Sequence, residues 1–193
     1  MKKEIILLLC FIVELLFACS KVETPNLPEI ESGIFNGEIG RVGYYNISND
    51  KLNKRITTTY FDGKAYQSQF NGDVSPTIID GNIYELNQTL TINLEDPLNG
   101  SSFLFFETYK GASNYRENWI SVDQYKQWDN KETTSFYTTV KEKQSIEAEI
   151  LSVNYRELRV PSLKVKIKGY LYDIDNRQDS ILIDATLTTQ ASY

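Results

Sequence analysis

Alternation of polar and apolar residues with a period of two most constrains what this chain can fold into. Lys164-Val165-Lys166-Ile167-Lys168-Gly169-Tyr170-Leu171 puts Val165, Ile167 and Leu171 on one face and lysines on the other. Ser145-Ile146-Glu147-Ala148-Glu149-Ile150 and Thr89-Leu90-Thr91-Ile92-Asn93-Leu94 repeat the pattern. Such segments are antiparallel strands with one face in the core and one in water. Ile181 to Leu187 reads as a further strand. Ser102-Phe103-Leu104-Phe105-Phe106, apolar on both faces, reads as a central one. Asp62-Gly63, Asn71-Gly72-Asp73, Asp80-Gly81 and Asn99-Gly100 punctuate these runs as turns, with Asp62-Gly63 and Asp80-Gly81 the better hairpins. Helix is scarce. Ser121 to Trp128, with Ser121 as N-cap and Val122, Tyr125 and Trp128 spaced three apart, predicts one short helix covering a sheet end. The expected fold is an all-β antiparallel sandwich of short strands with that helix or a long aromatic loop. A lipocalin-like β-barrel is the alternative, although no Gly-x-Trp step stands near Gly33-Ile34-Phe35-Asn36-Gly37.

The N-terminus has a different character. Lys2 and Lys3 precede an apolar run from Ile5 to Ala18, and Leu16-Phe17-Ala18 leads directly into Cys19. A basic start, a short apolar stretch and a small residue before a cut make a secretory signal peptide. The run is too short for a membrane span, which needs about 20 residues. A cysteine immediately after the cut resembles a bacterial lipobox, whose thiol is acylated by palmitate-type chains. The expected organisation is a signal peptide at 1–18, a lipidated Cys19 with a Pro- and Glu-bearing flexible tether at 19–32, and one β domain at 33–193.

Two absences then exclude whole classes of chemistry. Cys10 and Cys19 are the only cysteines, and both belong to the leader and the lipid; histidine does not occur. A domain with neither thiol nor imidazole builds no cysteine nucleophile, no Ser-His-Asp triad and no His/Cys zinc site. A formal charge of −6 without a basic cluster argues against nucleic acid as a partner. No cofactor, no metal site and no catalytic residue is expected.

Cys19 with its short polar linker, the glycine-rich start Gly33 to Gly40, and the closing strand Asp179 to Leu187 before a C-terminal tyrosine resemble small uncharacterised lipoproteins of Bacteroides-type Gram-negative bacteria, which carry a domain of unknown function. The resemblance implies a β-rich envelope protein and carries no catalytic residues across. It also implies outer-membrane sorting, since Ser20 replaces the aspartate that retains lipoproteins in the inner membrane of enteric bacteria. Lys21 and Glu23 partly match a surface-export signal, and Asp179-Ser180-Ile181 resembles an O-glycosylation tripeptide.

The segment from Tyr109 to Trp128 holds the candidate site. Tyr115, Trp119, Tyr125 and Trp128 are the proposed ligand-contacting rings, interspersed with Asn114, Asn118, Gln124, Gln127, Arg116 and Asp123. Flat rings stack on sugars while amides and acids bond their hydroxyls; the competing expectation is that such rings simply fill the core. Asp173 to Asp179 superficially resembles a calcium loop but has Arg177 at the fifth position and no glycine at the sixth, so a solvated hairpin loop is expected. Glu147 and Glu149, about 7 Å apart on one strand face, have a spacing open to glycosidase acids, yet read as surface charges facing lysines. Three functions follow: a lipid-anchored, noncatalytic binding or adaptor domain for a glycan or an envelope partner; a structural accessory of an outer-membrane assembly; and, last, a carboxylate-based hydrolase.

Overall fold

The computed structural model describes residues 33–49, 55–61, 64–98, 100–101, 103–111, 116–140, 143, 145–154 and 162–189. The expected signal peptide, Cys19, the tether and Tyr115 lie outside the described residues. Among the described residues ten strands form one antiparallel sheet: β1 (Ile34–Ile39), β2 (Val42–Ser48), β3 (Ile56–Phe61), β4 (Ala65–Ile79), β5 (Asn82–Glu95), β6 (Trp119–Trp128), β7 (Lys131–Thr138), β8 (Ile146–Asn154), β9 (Ser162–Asp173) and β10 (Ser180–Thr188). Their order is β2-β1-β10-β9-β7-β6-β5-β4-β3, with β8 added on β9. The all-β antiparallel expectation holds.

The sheet curls until its two ends meet, giving a nearly barrel-shaped molecule whose two layers belong to one sheet. Phe35 of β1 stacks on Phe70 of β4 with ring centroids 3.8 Å apart, and Tyr44 of β2 meets Phe70 edge-on at 5.2 Å. Burying rings of this size stabilises the closure by about 1.5–3 kcal/mol each. The path's terminal strands, β2 and β3, are joined by a side chain. Asn49 donates to the Ile56 carbonyl (2.6 Å) and accepts from the Ile56 amide (2.7 Å), as a backbone ladder rung would. At the opposite side, β9 pairs with β8 along 162–169 and with β7 only at Tyr172 and Asp173. Gly169 stands where β9 changes partner. Its φ is +141°, and a Cβ there would lie 2.0 Å from the Ser145 carbonyl oxygen. Only glycine lets the two backbones approach so closely.

Several local expectations hold for clear reasons. Asp80 and Gly81 form a two-residue turn between β4 and β5, both with positive φ (50° and 79°), as twisted hairpins require. The loop between β9 and β10 is organised by Asp173, whose carboxylate accepts the amides of Asp175 (2.8 Å) and Asn176 (3.1 Å). Its acids serve the turn. Glu147 and Glu149 of β8 face Lys168 and Lys166 of β9 in register.

Three expectations are corrected. Ser121 to Trp128 is no helix but most of β6, paired along its length with β5 and with β7. The three-residue spacing of Val122, Tyr125 and Trp128 coincided with a helical stripe, whereas Ile120 and Val122, two apart, are the residues that enter the core. Residues 103–106 are irregular and do not form a central strand. Phe105 alone is buried, while Leu104 and Phe106 are exposed. Finally, Asn71-Gly72 lies inside β4. Gly72 is there because the Tyr44 ring crosses it: a Cβ would come within 2.6 Å of that ring.

Candidate functional site

The outward face of β4, β5 and β6 carries three cross-strand rows of polar residues. The register aligns Gln67 with Asn93 and Trp119, Gln69 with Thr91 and Ser121, and Asn71 with Thr89 and Asp123. The middle row is small at Thr91 and Ser121 and larger on both flanks. A trough of about 250 Å³ therefore runs over the sheet, with Gln67 and Gln69 on one wall and Phe136 of β7 on the other.

The irregular segment before β6 forms its upper rim. It is held down through backbone groups: the Phe106 amide donates to the Asn118 carbonyl (2.8 Å), the Thr139 hydroxyl to the Phe106 carbonyl (2.6 Å), and the Thr108 amide to the Thr138 hydroxyl oxygen (3.1 Å). Arg177 of the β9–β10 loop pairs with Glu107. Lys110 pairs with Asp123 at 3.0 Å, which ties the rim to the trough floor. At Phe106, the end of the apolar run 103–106, a loop carbonyl and a hydroxyl satisfy the backbone groups in place of a neighbouring ladder.

The rings expected to act together are separated. Trp119 begins β6 and lines the trough but is only 4% exposed, so it acts as a wall. Tyr125 lies on the same outward face beyond Asp123, half-buried, with its hydroxyl donating to Gln127 (3.2 Å). Burial pushes its hydroxyl pKa up, with Glu132 and Glu85 adding to the rise. Trp128 has the opposite parity. It stands 41% exposed at the strand's far end, beside Tyr84 and under the Lys131 ammonium. The ring that does overhang the trough is Tyr109, 66% exposed.

Sequence reasoning placed Tyr109 in the aromatic segment without giving it a role, and missed Gln67 and Gln69 altogether. The signal for the glutamines was present. Gln67 and Gln69 are alternate positions of one strand, and only the register shows that Gln69 lies beside Thr91 and Ser121 and Gln67 beside Asn93 and Trp119. The Gln67 and Gln69 amides and the Thr91 and Ser121 hydroxyls make no side-chain hydrogen bond among the described residues. They offer donors and acceptors side by side above a firm floor. Among the described residues the trough's one carboxylate is Asp123, paired with Lys110. Among the described residues no cluster of acids could hold a metal ion. The arrangement is suited to holding a polyhydroxylated chain against the sheet. No family model matches this chain, and neither the curated proteins nor the solved structures contain a match.

Proposed function

We propose that this chain is a lipid-anchored envelope protein of the outer membrane whose β domain binds a glycan, without catalysis, in the trough on its outward face. The observation that carries the binding reading is the set of Gln67, Gln69, Thr91 and Ser121 side chains, unpartnered among the described residues, between the exposed Tyr109 ring and the Trp119 wall. Sugars are recognised by such a pairing of amide and hydroxyl groups with an aromatic face. The anchor reading rests on the Lys2-Lys3 start, the short apolar run and Cys19.

An oligosaccharide panel tests the trough. Gln67→Ala with Gln69→Ala, and separately Tyr109→Ala, should each weaken binding by about tenfold or more, while Trp128→Ala should leave it unchanged. Equal binding by the wild type and all trough variants would end the proposal. For the anchor, Cys19→Ala should abolish palmitate labelling and move the protein from the membrane fraction to the soluble one.

An adaptor role toward an envelope protein is the second reading. It is favoured by Ile78 and Ile83, which face each other in register near the tip of the β4–β5 hairpin and are both exposed. Replacing both by serine should then remove cross-links to membrane partners in intact cells and spare glycan binding.

A further inference from the structure

Immediately behind the trough, one residue out of step, a second polar row faces the interior. Gly72 of β4, Gln88 of β5 and Gln124 of β6 are in register. Gln88 is 1% exposed and Gln124 5%. Two amides so deeply buried need partners, and their bonds fix one another's orientation. The Ile39 carbonyl can only accept, so the Gln88 nitrogen faces it (3.4 Å). That nitrogen also donates to the Gln124 oxygen (2.8 Å), and the Gln88 oxygen accepts from the Tyr44 hydroxyl (2.8 Å). Gln88 is thereby fully used. Gln124 has spent its oxygen, and its NH₂ group has no partner among the described residues.

Gln124 lines a cavity of about 290 Å³ that opens between the β1–β2, β4–β5 and β9–β10 turns. Four charged side chains line it as well. Arg41 and Asp80 neutralise each other across the mouth (2.5 Å), and Asp179 accepts the Tyr137 hydroxyl (3.1 Å). Lys126, two residues beyond Gln124 on the same face and half-buried, has no ion-pair partner among the described residues. Asp80 is therefore held by its arginine and one Asp179 oxygen by a hydroxyl, while donors on β6 are spare among the described residues: two amide N–H groups and one ammonium, on adjacent same-face positions of a single strand. A carboxylate satisfies that set, since it accepts from both and takes up the ammonium charge. The cavity lies at the small end of ligand pockets, which admits a molecule no larger than a sugar acid or an amino acid.

We propose that this cavity is a second binding site, for a small carboxylate-bearing molecule held by the Gln124 amide and the Lys126 ammonium. It is separate from the outward trough and does not depend on glycan binding there.

Calorimetric titration of the full chain in detergent with D-glucuronate and with L-alanine tests it, with D-glucose as the uncharged control. Saturable binding of at least one carboxylate is expected, weakened at least about tenfold by Lys126→Met, which removes a charge-assisted bond and breaks no internal one. Binding of D-glucuronate alone identifies an acidic sugar as the ligand class, and of L-alanine alone an amino acid. Absence of binding by both, equal binding of D-glucose, or unchanged affinity in Lys126→Met would each overturn the proposal. The trough variant Gln67→Ala/Gln69→Ala should bind the carboxylate as the wild type does, which keeps this site's failure distinct from the trough's.

Discussion

The trough and the cavity lie back to back on β4, β5 and β6, in neighbouring residue rows, and both are lined with glutamines. They differ in what the glutamines are allowed to do. Gln67 and Gln69 face water, which satisfies their amides in any rotamer, so the protein spends little to keep them and little to move them. Gln88 and Gln124 have no such freedom. A buried amide without partners costs roughly 1–3 kcal/mol, so the bonds of Gln88 and of the Gln124 oxygen are assigned within the domain, and only the Gln124 NH₂ group is left over among the described residues. The outward site is adaptable and the inward site is preorganised. A glycan's many similar hydroxyls suit the first, and a single carboxylate suits the second.

The strongest way to break this contrast is Gln88→Leu. It strands the Tyr44 hydroxyl and the Gln124 oxygen in the interior, and should lower unfolding free energy by about 2–4 kcal/mol in urea titrations. Gly72→Ala acts on the same row by sterics alone. The added methyl meets the Tyr44 ring, which is packed in the core and cannot retreat cheaply, and a loss of about 1–3 kcal/mol is expected from thermal unfolding. If Gly72→Ala were neutral, the tight assembly of the inner row would be refuted.

Alkaline unfolding sharpens the comparison. The Tyr137 hydroxyl is pushed up to about 12, mainly by burial, with the nearby Asp179 adding to the rise and Ser135 opposing it. Above pH 10 the unfolded chain loses this proton while the folded one keeps it. The unfolded state then binds fewer protons, and stability falls as pH rises from about 10 towards 12. The contribution is complete below pH 10. Tyr137→Phe should flatten that part of the stability–pH curve, as read by unfolding at pH 9, 10 and 11. The smallest effect is the matched outward change: Gln67→Leu should shift stability by no more than about 0.5 kcal/mol, in contrast to Gln88→Leu.

The fold was legible where burial depends on one strand's own alternation. Lys164 to Leu171, Ser145 to Ile150 and Ile181 to Leu187 each carry a face in the core and a face in water, and each lies in β9, β8 or β10, respectively, with only Ser145 just before its strand. Legibility failed where neighbours decide. Ser121 to Trp128 carries both spacings, and its pairing with β5 on one side and β7 on the other selects the strand. Gly72 has the chemistry of a turn and serves instead as clearance for a ring from β2. The sites lay further out of reach for the same reason. Trp119 was found as a residue, but its burial, and its alignment with Gln67 from the far side of the β4–β5 hairpin, are properties of register.

Asn49 has a consequence for how molecules of this protein live side by side. A curled sheet with two terminal strands has two unpaired margins, each able to recruit a strand from a neighbour. By spanning Ile56 with both ends of its amide, Asn49 pins one end of those margins together. That carboxamide occupies the rung where strand addition from a second molecule along β3 would begin.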